Sequence, residues 1–179
     1  MDNTLSPSQR RLQRTRSAQL LVALNASCSR DELQSIDWDA LTSVPHWCFM
    51  DADTRRYLQL VCGALFAGPS IQNWIDGARI KRACELLGER AYSRVLSKVD
   101  ACSVQVNHDE PDVERLFLTG GASVLTGAVD HPGVRKLVSS LFESSLEPLS
   151  PTIATPLYTL GLSVFDDELA ALNAASASA

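Results

Sequence analysis

Residues 63–70, GALFAGPS, have the spacing of a phosphate-binding loop: Gly63, four residues, Gly68, then Pro69 and Ser70. Such a loop follows a strand, cradles phosphate with backbone N–H groups and sends a lysine to the outer phosphates. Proline stands at the lysine position here, removing an ammonium and an N–H together. The lead-in also has the wrong period, because Tyr57, Leu60, Val61, Ala64 and Leu65 recur at helical intervals. Gly68-Pro69 therefore reads as a helix stop followed by a helix start. A second cluster, TGGASVLTG at 119–127, contains Gly121 and Ser123 but lacks the closing glycine of a nucleophile elbow and a preceding strand. Its small residues predict the close approach of a neighbouring helix.

The other reactive residue types do not converge. His46, His108 and His131 each stand beside a loop or cap signal. The carboxylate pairs Asp51/Asp53 and Asp166/Asp167 fall where capping and solvation account for them. Cys28, Cys48, Cys62, Cys84 and Cys102 are widely spaced with no C-x-x-C, the pattern of neither a disulfide framework nor a zinc site. Cys62 and Cys84 lie in apolar runs, where a thiol acts as a small hydrophobe. The expectation is a protein that is not an enzyme and takes no cofactor or metal.

Two basic stretches invite a different chemistry. QRRLQRTR holds Arg10, Arg11, Arg14 and Arg16, with Arg10 and Arg14 on one helical face. ARIKRACELLGERAYSR holds Arg79, Lys81, Arg82, Arg90 and Arg94 on two helices joined by Gly88, as a helix-turn-helix DNA-binding regulator would. Glu85 and Glu89 lie among those bases, and a net charge of −5 repels phosphate, so nucleic acid is not the expected partner. The net figure hides an asymmetry. Residues 1–98 carry 13 basic and 10 acidic side chains, and residues 99–179 carry 3 and 11, giving +3 and −8. A bipolar chain of this kind can meet two partners of opposite charge.

These residues must be positioned by helices. A chain of 179 residues with 45% hydrophobic and 21% charged content can bury one core and is not a disordered polymer. Ser6-Pro7 predicts a helix to about Asn25, and Ser29 another ending at Pro45. PHWCFMDAD is an aromatic-rich loop that would bring Trp47 and Phe49 to the surface, the alternative being that Trp47 and Trp74 plug the core, and Asp53 or Thr54 caps a helix over 55–67. Further helices follow Pro69, cover 78–87 and 91–99 on either side of Gly88, and start near Asp109 and Asp130, ending at about Val129 and Leu146. EPLSPTIATP reads as a linker before a last helix near 157–171, and only 101–107 alternates like a strand. The reading is all-α: a single compact domain over 1–172, with roughly seven to nine helices and at most one or two short strands. Residues 1–5 and 173–179 are expected to be disordered. The N-terminus lacks an apolar signal segment, and no apolar run is long enough to span a bilayer, so the compartment expected is the cytoplasm without membrane insertion.

Leu58–Ser97 resembles the cytosolic accessory proteins of the type III secretion sorting platform, the SctK-type family of YscK-like and OrgA-like proteins. The match lies in an apolar helix with Leu58, Leu60, Cys62, Gly63 and Leu65, a break at Gly68, and an Ile71 helix. Leu86-Leu87 then precede an amphipathic helix with Tyr92, Val95 and Leu96. DVERLFLTGGASVLTGAVDHPGVRKLVSSLF is similar to the family's second helical half. The resemblance implies a non-enzymatic adaptor at the cytoplasmic face of the inner membrane. It would link the inner-membrane ring's cytosolic domain to the pod protein of the sorting platform, and indirectly to the stator and export ATPase. The alternatives are the DNA-binding regulator and a secretion chaperone or other helical interaction module. For an adaptor, tryptophan and arginine are the preferred anchors. One contact is accordingly expected at Trp74, Arg79 and Arg82, facing an acidic partner, with Trp47 and Phe49 as further anchors. The other is expected at Glu110, Asp112 and Glu114, facing a basic one.

Overall fold

The computed structural model describes residues 15, 44–99, 110–142 and 147–177. The fold is all-α, with seven α-helices and no strand among the described residues. They are α1 (Ala52–Phe66), α2 (Gly68–Ile71), α3 (Gly77–Leu87), α4 (Glu89–Lys98), α5 (Val113–Gly127), α6 (Pro132–Ser139) and α7 (Pro151–Ala177). The N-terminal helices expected from Ser6 and Ser29 and the strand expected at 101–107 lie outside the described residues, as do His108, Cys28 and Cys102. The chain divides into two compact units, one of residues 52–128 with 144–179, the other of residues 1–51 with 129–143.

In the larger unit, α1, α5 and α7 pack together around Leu58, Val61, Leu65, Phe117, Leu125, Leu157 and Phe165, all fully buried. The seam between α1 and α5 is made by glycine. A methyl group on Gly63 would overlap the backbone carbonyl of Phe117, and one on Gly121 would overlap the carbonyl of Gln59. Each glycine thus lies opposite a residue one turn from the other glycine, and the two backbones touch with no side chain between them. Gln59 Nε2 reaches across the same seam to the Leu118 carbonyl at 2.6 Å. Gly161 of α7 faces the Cys62 side chain instead, where an added methyl would lie 2.5 Å from its Sγ.

Around this core the caps follow the sequence closely. Asp76 accepts from the Ala78 N–H to start α3, and Asp112 accepts from the Glu114 and Arg115 N–H groups to start α5. Gly88 divides α3 from α4 at φ 82°, a left-handed value that favours glycine. Gly68-Pro69 stops α1 and starts α2, as expected.

The ends of α1 and α7 differ from expectation. α1 begins at Ala52, so Asp53 lies in its first turn instead of capping it. α7 begins at Pro151 and absorbs residues 151–156 of the supposed linker, with Pro156 inside it, while 147–150 stay non-helical. Proline at the first helical position loses no bond, and the one bond that Pro156 forfeits is outweighed by burying Ala154, Leu157, Val164 and Phe165. α7 also continues to Ala177, through residues expected to be disordered from 173.

In the smaller unit, residues 46–49 form one 3₁₀ turn, and Trp47 is only 1% exposed, its ring 5.9 Å from that of Phe142. Of the two positions weighed for Trp47 the structure shows the core one, not the surface anchor: an indole covers too much apolar area to stay in water when an aromatic partner is at hand. Phe49 is partly exposed. α6 ends at Ser139, well short of Leu146, because the chain tightens into turns with Leu141 N–H bonded to the Val138 carbonyl and Phe142 N–H to that of Ser139. Within this unit His131 Nδ1 accepts from the Val134 N–H at 3.4 Å, and Arg135 grips the Val129 carbonyl at 2.8 and 3.0 Å. His131 is a cap.

Candidate functional site

The polar groups of the larger unit concentrate where α3 crosses the start of α5. The turn between α2 and α3 carries Trp74, whose indole stacks on Phe117 of α5 with centroids 6.4 Å apart and planes 9° from parallel. The Arg79 guanidinium lies 4.4 Å from the Trp74 ring centre and donates to the Glu110 carbonyl at 2.7 Å. One turn on, Arg82 pairs with Glu85 at 3.3 Å and with Glu114. Glu114 also receives Arg56 from α1, and Arg115 lies 3.5 Å from Glu110. The Glu114 carboxylate, first, and that of Glu85 hold the Arg82 guanidinium protonated beyond its ordinary range.

The two contacts expected at opposite ends of the molecule are therefore one assembly. Trp74, Arg79 and Arg82 face Glu110 and Glu114 of their own chain, while Asp112 is occupied as the cap of α5. The sequence separated them by some thirty positions, but the fold lays α3 against α5. A second set of pairs repeats the arrangement: Arg90 of α4 lies 3.2 Å from Glu168 of α7, and Arg94 pairs with Asp167. Cations of the basic half are matched by carboxylates of the acidic half. The bipolarity of the sequence is to this extent neutralised inside the fold.

Arg56, Arg115 and Glu168 belong to this network and were not singled out by the sequence, since nothing in single-chain spacing marks pairs across helices. Ile75 was also missed. It is fully exposed at 100%, the sole exposed large hydrophobe among the described residues, and it sits between Trp74 and the Asp76 cap. An isoleucine inside the turn-forming run QNWIDG was a legible signal.

The reactive types named from sequence have structural duties. Cys62 is completely buried in the glycine-lined core, and burial pushes its thiol up to about 12. Tyr57 donates to the Leu87 carbonyl at 2.9 Å, and burial, then the nearby Glu168 carboxylate, raise its phenol to about 12. Burial, with Glu89 second, also raises Cys84. Both shifts move thiols away from the nucleophilic thiolate. Ser123 is buried in the middle of α5, with no hydrogen-bond partner for its hydroxyl among the described residues. Among the described residues no group of three histidine, cysteine or carboxylate side chains could hold a metal. No helix among them is long and apolar enough to cross a membrane. Comparison with protein-family models, with curated proteins and with solved structures finds no match.

Proposed function

We propose that the protein is a non-enzymatic helical adaptor of a type III secretion apparatus, linking the inner-membrane ring's cytosolic domain to the pod protein of the sorting platform. The observation that carries the reading is the employment of its chemistry-bearing residues in construction. Gly63 and Gly121 join helices, Cys62 fills the core, and the Arg79–Arg82 and Glu110–Glu114 groups fasten α3 to α5. A helical unit whose polar groups serve its own architecture suits a protein that presents surfaces to other proteins. The resemblance supplies the particular system. Its quoted pattern runs through the apolar α1 with Cys62 and Gly63, the Gly68 break, Ile71 in α2, Leu87 at the end of α3 and Tyr92 and Val95 in α4.

Engagement of Arg79, Arg82, Arg90 and Arg94 by groups of their own chain weighs against the DNA-binding alternative, because phosphate would have to displace those partners. The test is calorimetric titration of the purified chain with the ring's cytosolic domain and with the pod protein, each from the same genome. Binding of both at once is the expected result, with no retention of a DNA duplex at about 150 mM salt. Failure to bind either protein overturns the reading.

A further inference from the structure

Asp76-Gly77 is the one Asp-Gly pair in the sequence, and there is no Asn-Gly. Unlike the glycines of the α1–α5 seam, Gly77 has no packing duty. A methyl on it would meet nothing within 4 Å, and its φ is not left-handed. What the missing side chain leaves is an uncovered main-chain nitrogen. Both residues are exposed, so water reaches them. The first N–H groups of a helix have no acceptor in a preceding turn. Asp76 serves its neighbours, with Oδ1 accepting from the Ala78 N–H at 2.9 Å and the carbonyl from the Ile80 N–H at 3.2 Å. Among the described residues nothing accepts from the Gly77 N–H.

We propose that Asp76 is a site of spontaneous isomerisation to isoaspartate, gated by the first turn of α3. The Gly77 nitrogen gives its proton to water and attacks Cγ of the protonated Asp76 carboxyl. A C–N bond forms, a C–O bond breaks, and the departing oxygen leaves as water. Water then opens the cyclic imide at one of its two carbonyl carbons. Addition at Cγ restores aspartate. Addition at the main-chain carbonyl carbon leaves the chain running through Cβ and Cγ, with the former main-chain carbonyl as a free carboxylate. The water lost is regained, so the product has the mass of the starting chain.

The fold sets the rate. At the capping ψ of 108° the Gly77 nitrogen is turned away from the Asp76 side chain, and ring closure requires a rotation about the Cα–C bond that breaks the cap. The first turn of α3 must therefore open, as helix ends do by local unfolding. Arg79 resists that opening. Its guanidinium lies 4.4 Å from the Trp74 ring centre and donates to the Glu110 carbonyl at 2.7 Å, clasping α3 to the turn that precedes it. Isoaspartate adds one carbon to the main chain between Trp74 and Arg79 and removes the Asp76 side-chain cap. The reaction thus loosens the clasp that restrains it. This inference does not depend on the adaptor reading.

The experiment incubates wild type, Gly77→Ala, Asp76→Ser and Arg79→Ala for weeks at neutral pH and physiological temperature. Isoaspartate at residue 76 is read by fragmentation mass spectrometry of the digested chain, and melting of each fresh variant checks its fold. Wild type held unfolded in guanidinium chloride reports the reaction freed from the gate. Isoaspartate accumulates in folded wild type, more slowly than in the unfolded sample. It is largely lost in Gly77→Ala, whose methyl fits open space, and absent from Asp76→Ser, which keeps a capping oxygen without the carboxyl. Arg79→Ala forms it about two- to fivefold faster, the worth of one cation–π contact in the opening equilibrium. A folded wild type that forms none overturns the site, and equal rates folded and unfolded overturn the gate. Formation undiminished by Gly77→Ala overturns the part given to the open glycine, and an Arg79→Ala rate equal to that of wild type overturns the clasp.

Discussion

At Gly121, α5 meets α1 backbone to backbone; two turns earlier, at Glu114, the same helix meets α1 and α3 through long charged side chains. The first contact excludes everything larger than hydrogen. The second joins flexible side chains across a wet surface, with the Glu114 side chain 27% exposed and its two arginines about half exposed. Interiors are close-packed and bistable, so an atom with no room forces whole helices apart. Exposed ion pairs are solvated in either state and contribute little net stability. One helix therefore specifies its position by steric exclusion at one level and decorates it electrostatically at another.

The largest expected effect comes from breaking the first contact. Gly63→Ala or Gly121→Ala places a methyl on a backbone carbonyl that cannot rotate away. Against the ~1 kcal/mol of helix propensity gained, overpacking and separation of α1 from α5 cost on the order of 3 kcal/mol or more. Urea unfolding measures the difference, and a loss below about 1 kcal/mol would mean that the seam yields and the comparison fails.

A milder version lies at Gly161, where the obstacle is the end of a side chain. Gly161→Ala meets Cys62 Sγ at 2.5 Å and should cost about 1–2 kcal/mol. Cys62→Ala alone leaves a void, but combined with Gly161→Ala it refills that space. A double-mutant cycle should show favourable coupling of about 1 kcal/mol; additivity would place the strain elsewhere.

Much of this seam was legible beforehand and much of the surface was not. TGGASVLTG announced close helix packing because small residues in a helical run permit nothing else as simply. The Gly88 punctuation was legible for the same local reason. The depth of Trp47 could not be decided because a loop pattern fixes the path of the backbone, while the depth of an indole depends on Phe142, almost a hundred residues away. The misreading of Pro156 has the same origin, since burial of α7 overrides a local break. Arg82 and Glu114 were each recognised as charged anchors, yet their pairing depends on the placement of α3 beside α5, which no local spacing encodes.

Alkaline pH probes the buried contact and not the exposed one. Cys62 shifts from 9.0 to about 12 and Tyr57 from 10.0 to about 12, so both hold protons more tightly folded than unfolded. Their stabilising contribution is complete below about pH 9 and is lost as pH rises from there toward 12. Unfolding free energy should fall across that window, and Cys62→Ala should flatten its lower part. A profile indifferent to Cys62→Ala would mean that the thiol is not the group being titrated.

The smallest effect belongs to Glu114→Gln, which keeps the shape of the carboxylate and removes its charge. Arg56 and Arg82 then lose their shared counter-ion, while Arg82 retains Glu85 and Arg56 remains half exposed to water. Water and salt replace most of what the pair supplied, so the melting temperature should fall by only about 2 °C or less at low salt. In 0.5 M salt, where the Debye length is about 4 Å, the difference from wild type should nearly vanish. Melting curves at the two salt concentrations decide the matter. A loss as large as that of Gly121→Ala, or one that salt does not diminish, would mean that Glu114 holds α3 and α5 together as firmly as the glycine seam holds α1 to α5. The charged assembly would then be part of the core's specification rather than an addition to it.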